Sequence, residues 1–215
     1  MANIRDYLHF RGDLSLLQDP FNEVDGLILS EISYIDYSGI VKEEPDRRVG
    51  FEEATEAFFD GKDQKDLSLG AILPDEILDL CKDAATAPRF SGASLTAYRN
   101  VKKEGAQDSE KMQWAVLTFL LPDDSLFIAF SGTDDSLVSW KEDLDMAVED
   151  VLPSQKLAVA YINELASAYP GKLLRIGGHS KGGNIAVYSA ANCAPSVQDR
   201  ILTVYDNDGP GFSAE

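Results

Sequence analysis

Residues 174–186 read LRIGGHSKGGNIA and place the pattern G-x-S-x-G at Gly178–Gly182, between an apolar run and a run of small residues. A short apolar run is typical of a buried strand, and the small residues that follow keep a helical period. Glycine has no Cβ, so it permits the close approach and the unusual dihedral angles of a sharp turn. We therefore predict a strand at 173–177, a sharp turn at Ser180, and a helix at 182–191.

The flanking segments extend this pattern into an α/β fold. A second apolar run at 201–205 completes the order strand, helix, strand, which indicates a βαβ unit with a parallel pair. Upstream, strand patterns at 113–121 and 126–130 enclose the turn residues 122–125 and predict an antiparallel hairpin. A further strand is predicted at 94–101. Helical periodicity predicts additional helices at 21–37, 51–59, 74–87 (with Pro74 in its first turn) and 154–169.

The chain length of 215 residues, with 44% hydrophobic and 26% charged residues, suits one globular domain. We predict a single α/β-hydrolase-type domain over 1–215, in which a sheet is flanked by helices. Residues 1–90 form a mainly helical N-terminal part, with 1–19 mixed and 38–50 a loop, and 91–215 form the α/β core. The N-terminal part is either packed against the core, the favoured interpretation, or a lid or partner-binding cap.

The net charge of −18 argues against a nucleic-acid partner, for which a basic surface is expected. A sequence pI of about 4.4 also disfavours attraction to anionic membranes. No run approaches the roughly 18 apolar residues of a membrane span, and the N-terminus has no apolar signal-peptide core. We therefore expect no integral membrane segment and a cytoplasmic location.

Metal and cofactor signatures are not apparent in the sequence. Cys81 and Cys193 lie far apart and suggest neither a disulfide framework nor a zinc site. No H-E-x-x-H helix and no P-loop pattern occurs. We expect neither a metal nor an organic cofactor.

The G-x-S-x-G pattern between a strand and a helix is typical of a nucleophile elbow. Ser180 is then the candidate nucleophile, held above the carboxyl ends of the strands. The backbone N–H of Lys181 would be one oxyanion donor, assisted by the positive end of the helix dipole. The alternative is a glycine-rich turn that carries an ordinary serine.

A second segment, Phe130-Ser131-Gly132-Thr133 followed by Trp140-Lys141-Glu142-Asp143-Leu144, resembles the class 3, fungal-type lipases of the α/β-hydrolase superfamily. In that group a strand ending in Phe-Arg-Gly-(Ser/Thr) supplies the second oxyanion donor. The resemblance implies that role for the backbone N–H of Thr133. Ser131 departs from the usual arginine, which changes how the turn is braced.

The sequence resembles still more closely an uncharacterised bacterial lipase-like family. This resemblance covers nearly the whole chain and implies a hydrolase fold. The resemblance to the lipase class implies a small-molecule ester or lipid as substrate, with amide and thioester substrates as open alternatives. The matching segments are Asp6–Leu8, Arg11–Ser15, Asp19–Asp25, Ser33–Tyr37, the GGHSKGGN stretch and Tyr205–Phe212.

The acid and base of a Ser–acid–His triad should both follow the nucleophile in α/β-hydrolases. Asp206 and Asp208 follow the predicted strand 201–205 and are candidates for the acid, although Asp-Asn-Asp-Gly-Pro-Gly is also strongly turn-forming. The chain has two histidines. His9 is distant in sequence, and His179, adjacent to Ser180, is expected to pack beneath the turn.

In lipases of the group that the chain resembles, the acid and the histidine come further downstream than residue 215. We therefore expect that the chain lacks the C-terminal portion of the full fold and is weakly active or inactive by itself. The sequence predicts a serine hydrolase of lipase or esterase type that forms an acyl-enzyme at Ser180. The alternative is an inactive hydrolase-fold protein used for binding or regulation.

Overall fold

A six-stranded mixed sheet forms the centre of the molecule, and its strands lie side by side in chain order. The computed structural model describes residues 3–62, 67, 69, 74–103, 112–132 and 151–212. Strands β1 to β4 pair antiparallel, whereas β4, β5 and β6 pair in parallel. The strands are β1 (Arg48–Gly50), β2 (Ser94–Lys103), β3 (Met112–Leu120), β4 (Leu126–Phe130), β5 (Leu174–His179) and β6 (Ile201–Asn207). The predicted hairpin and the predicted parallel pair are both confirmed.

Helices cover both faces of the sheet. They are α1 (Ile4–Arg11), α2 (Glu23–Ile32), α3 (Phe51–Phe59), α4 (Glu76–Thr86), α5 (Pro153–Ala168), α6 (Lys181–Asn192) and α7 (Pro195–Gln198), with a 3-10 turn at Pro88–Phe90. In the described ranges, none of these helices combines the length and the apolar character needed to cross a membrane.

The structure corrects several sequence-based boundaries. The helix predicted at 21–37 is shorter, since α2 spans Glu23–Ile32. Residues 1–19 contain helix α1. A capping box fixes its start: the Asn3 side chain accepts hydrogen bonds from backbone amides of the first turn, and the Asp6 side chain accepts one from the Asn3 amide. The predicted loop 38–50 ends in the short strand β1, which pairs with β2. Pro74 precedes α4 rather than lying in its first turn, because Asp75 is the N-cap residue.

Strand β4 shows how the two layers meet. All of its residues are buried, so it reads as a continuous apolar run rather than as an alternating one. Phe127 and Ala129 face the hydrophobic cluster beneath α2, α3 and α4. Leu126, Ile128 and Phe130 face the cluster beneath α5 and α6. The sheet therefore separates two apolar cores and brings the carboxyl ends of β4, β5 and β6 to one edge.

Candidate active site

Ser180 forms the whole connection between β5 and α6, because β5 ends at His179 and α6 begins at Lys181. Its dihedral angles are φ 54° and ψ −128°. A non-glycine residue in this region is strained by about 1–3 kcal/mol. The Ser180 amide donates to the carbonyl of Asn207 at 2.9 Å, and the Ser180 carbonyl accepts from the amide of Gly183 at 2.8 Å. The sharp turn predicted from the sequence is therefore present.

Two glycines of the motif allow the backbones around this turn to approach closely. A Cβ on Gly178 would lie 2.2 Å from the carbonyl carbon of Gly182. A Cβ on Gly182 would lie 2.1 Å from the carbonyl oxygen of Phe130, at the end of β4. Real Cβ atoms do not approach backbone atoms so closely, so a side chain at either position would push α6 away from the sheet.

Lys181 is the first residue of α6, so its amide belongs to the helix N-terminus, where backbone N–H groups point along the axis. Its side chain is buried, and Nζ donates to the carbonyl of Gln113 on β3 at 3.3 Å. The aliphatic part of Lys181 is therefore a packing element, and its backbone amide is the group placed next to Ser180.

The second predicted oxyanion residue, Thr133, lies outside the described residues, as do Trp140 and Asp143. The description of that turn ends with Ser131 and Gly132. The Ser131 hydroxyl donates to the carbonyl of Ser33 at 2.5 Å. Ser131 thus ties the end of β4 to the segment that follows α2.

A cavity of about 620 Å³ opens beside Ser180. Glu31 and Tyr34, from the end of α2 and just beyond it, form its polar side together with His179. The opposite side, from α1, α4 and the residues just before them, carries both apolar and polar groups: Ile4, Pro74, Ile77 and Leu80, and also Asn3, Arg5 and Glu76. The predicted nucleophile therefore faces a concave space lined by apolar side chains and several polar ones, as small-molecule sites commonly are.

His179 lies in the wall of this cavity, and the expectation that it packs beneath the turn is wrong. Its Nδ1 is 3.0 Å from the hydroxyl of Tyr34 and 3.6 Å from Oε1 of Glu31. Strand alternation explains the direction, because residues two apart face the same side of a sheet. Gly177, two residues earlier, faces Ser30 of α2. The imidazole consequently points to the α2 side and reaches the cavity.

Glu31 is largely shielded from water. Burial raises the pKa of its carboxyl, and the neighbouring His179 acts in the opposite direction. Sequence reasoning missed both Glu31 and Tyr34 as site residues. Tyr34 falls inside the segment Ser33–Tyr37 that carried a family resemblance, but nothing in that segment indicated which of its side chains would reach Ser180.

The two candidate acids do not line the Ser180 cavity. Asp206 is exposed, and its Oδ1 accepts a hydrogen bond from the amide of Gly209 at 2.9 Å. Asp208 is exposed and has a positive φ of 59°. Asp208 lies just after β6, whereas Asp206 is still within β6 and is paired with Gly178 of β5. His9 is also exposed and packs edge-on against Phe10.

Asn207, between these two acids, supports the turn directly. Its side-chain amide donates to the carbonyl of Gly178 at 3.0 Å and to the hydroxyl of Ser30 at 3.2 Å, and its carbonyl accepts from Ser180. Asn207 therefore links β6, β5 and α2 at the point where Ser180 is strained. Sequence reasoning missed this role because it weighed only the charged neighbours.

The fold and the site define a mixed α/β protein with a strained serine turn at the carboxyl edge of its sheet. The sequence model of the Mbeg1-like family matches residues 84–215, and the chain belongs to that family. This range includes strands β2 to β6 and the Ser180 turn. Comparison with curated proteins and with solved structures gave no match.

Proposed function

We propose that the chain is a serine hydrolase of lipase or esterase type with an α/β-hydrolase fold, and that it acts in the cytoplasm. The observation that carries the proposal is the backbone of Ser180, held at φ 54° and ψ −128° beside a cavity of about 620 Å³. Strain of this kind persists only where the surrounding structure enforces it, and it concentrates at functional sites.

In the proposed reaction a general base takes the Ser180 proton while the serine oxygen attacks the carbonyl carbon of a carboxylic ester, and the proton passes to the alcohol that departs. Water then hydrolyses the acyl-enzyme. The backbone amides of Lys181 and Thr133 would hold the oxygen that becomes negative, and the N-terminus of α6 would add a favourable dipole. The apolar side chains of Ile4, Ile77 and Leu80 offer a place for the acyl group. The acidic chain, at a net charge of −18, favours a neutral ester over an anionic one.

A second candidate function is binding of an ester or lipid without turnover. The positions of the candidate acid and base residues favour this second function. Neither Asp206 nor Asp208 lines the cavity, and His179 is adjacent to Ser180 in the chain. A serine needs a base to become nucleophilic. Under this proposal the fold and the cavity are kept for recognition, and Ser180 is a structural residue of the turn.

Labelling with a fluorophosphonate distinguishes the two functions. The hydrolase proposal predicts covalent labelling at Ser180, hydrolysis of p-nitrophenyl butyrate, and loss of both in Ser180→Ala. An unlabelled wild-type protein that still binds a p-nitrophenyl ester, measured by calorimetry, would favour binding without turnover. Mass spectrometry of the labelled peptide confirms that the modified residue is Ser180.

A further inference from the structure

A second cavity, of about 310 Å³, lies beside the Ser180 cavity. Tyr34 lines both cavities, and its hydroxyl donates to the carbonyl of His179 at 3.5 Å, so the ring is a fixed part of the wall between them. Gly132 lines the second cavity, and a Cβ on Gly132 would lie 2.5 Å from that same His179 carbonyl oxygen. The second cavity therefore begins next to the residue that precedes the proposed nucleophile.

One wall of the second cavity comes from a row of residues across three neighbouring strands. Asn100 of β2 pairs with Ala115 of β3, and the amide of Ser131, just after β4, donates to the Ala115 carbonyl at 3.1 Å. All three residues line the cavity. Ala115 and Ser131 are small and Gly132 has no side chain, so the sheet surface leaves space unfilled here. The apolar part of the lining comes from α3, α4 and the segment between them: Phe58, Leu67, Leu69 and Leu78.

The polar part of the lining offers hydrogen-bond acceptors. Oδ1 of Asn100 is shielded from water and has no hydrogen-bond partner in the part of the chain that the structure describes. A buried acceptor without a donor is costly, which indicates a donor from outside the chain. Asp36 also lines the cavity and accepts from the hydroxyl of Tyr98 at 3.2 Å. Burial raises the pKa of Asp36, but the hydrogen bonds that it accepts, including those from Ser38 and Asn100, outweigh burial and hold this pKa below its usual value.

We propose that the second cavity binds the alcohol part of the ester substrate, and that this alcohol carries a free hydroxyl group that donates a hydrogen bond to Oδ1 of Asn100. The site rests on the proposed hydrolase function. An ester extends from its carbonyl group in two directions, so the acyl chain would lie against Ile77 and Leu80 while the alcohol enters the second cavity.

The charges of the lining favour a neutral alcohol. Lys102 lines the cavity together with the Asp36 carboxylate, so in the described part of the chain the wall carries one charge of each sign. Such a wall favours hydroxyl groups, which both donate and accept, over an ion of either sign. The substrate class is therefore a partial ester of a neutral polyol such as glycerol.

The test compares glycerol 1-butyrate with n-propyl butyrate, which has the same carbon skeleton and lacks the two hydroxyls. The wild type should prefer the glycerol ester by about tenfold in kcat/KM, because the propyl ester leaves the Asn100 acceptor without a donor. Titration of the released butyrate at constant pH measures both rates. In Asn100→Leu the preference should fall to about twofold or less, because leucine is similar in size and accepts no hydrogen bond. The matched control is Asn192→Leu, at an exposed residue of α6 that lines neither cavity, and it should keep the wild-type preference.

A cavity-filling variant tests the location of the alcohol part. Ala115→Leu places extra bulk in the second cavity, so kcat/KM for glycerol 1-butyrate should fall at least about tenfold relative to methyl butyrate, whose alcohol part is too small to need the cavity. Unfolding temperatures identify any variant that fails to fold. The preference of the wild type tests the proposal without any variant.

The outcomes separate this site from the hydrolase function. A wild-type protein that hydrolyses neither ester and is not labelled by a fluorophosphonate removes the hydrolase function and the alcohol site together. A labelled protein that hydrolyses neither ester, or both equally well, removes the alcohol site alone. A glycerol preference that survives in folded Asn100→Leu and Ala115→Leu also removes it. Faster hydrolysis of butyrylcholine than of glycerol 1-butyrate would overturn the assignment of a neutral polyol.

Discussion

Arg89 and Asp25 form a buried two-pronged ion pair between the 3-10 turn before β2 and helix α2. Nε of Arg89 lies 2.5 Å from Oδ1, and Nη2 lies 2.5 Å from Oδ2, with both side chains fully shielded from water. The remaining guanidinium hydrogens donate to the carbonyls of Leu14, Asp19 and Pro20. One side chain therefore anchors the segment between α1 and α2 as well as α2 itself.

Replacing Arg89 with Met should lower the free energy of unfolding by about 3–5 kcal/mol, because it leaves the Asp25 carboxylate buried without its partner. Urea denaturation followed by circular dichroism measures the change. Arg5→Ala is the control. Arg5 pairs with Asp79 at 3.1 Å and with Asp83 at 2.8 Å, and all three side chains are more than a third exposed. Exposed ion pairs of this kind contribute at most about 1 kcal/mol each, so equal losses in the two variants would contradict the prediction.

Ser180→Gly should be more stable than Ser180→Ala by about 1 kcal/mol, since glycine adopts the positive φ of 54° at that turn without steric strain. Thermal unfolding of the two variants measures the difference. Both variants lack the hydroxyl, so the comparison isolates the backbone from any catalytic role. If Ser180→Gly proved the less stable of the two, the turn would not be strained.

Gly178→Ala should destabilise the protein by about 3 kcal/mol or more, because its methyl group would overlap the backbone of Gly182 and force α6 away from β5. Gly211→Ala is the matched substitution at a glycine whose Cβ would meet no atom within 4 Å. We expect it to change the unfolding temperature by little. Similar shifts for both glycines would mean that the contact between α6 and the sheet is loose.

Glu31→Gln should raise stability at neutral pH and leave it unchanged near pH 4. Burial raises the pKa of Glu31 in the folded protein above its value in the unfolded chain. The folded state therefore holds the proton more tightly, and wild-type stability declines as pH rises from the unfolded value through the folded one. Glutamine carries no charge, so the variant avoids this decline. Unfolding temperatures of wild type and Glu31→Gln between pH 4 and pH 8 test this prediction. Unfolding temperatures that depend on pH in the same way for both proteins would contradict it.

Local patterns predicted much of the fold because they depend on neighbouring residues. The bounds of α3 and β4 agree with the sequence-based ranges, and the Ser180 turn lies where glycine spacing placed it. Strand β1 was missed because three residues are too few to show an alternating pattern, and the strand is defined by its pairing with β2. Helix α1 was missed although Asn3 and Asp6 form a capping box that is readable in the sequence.

The cavity could not be predicted in the same way. Tyr34 and His179 are separated by 145 positions in the chain, and their contact depends on how α2 lies across the sheet. The sequence indicated that Ser180 would be exposed at a turn. Tertiary packing determines which side chains surround Ser180. Such packing leaves no periodic pattern in a single sequence from which it could be predicted.

The strand order has a consequence for how the molecule assembles. Because every strand pairs with its neighbour in the chain, the sheet grows by short steps, each of which closes a modest loop. The contacts that close the site are longer in range, since Tyr34 and His179 are 145 positions apart and Ser30 and Asn207 are 177 positions apart. On refolding from urea, strand formation should therefore precede the closing of the Ser180 cavity.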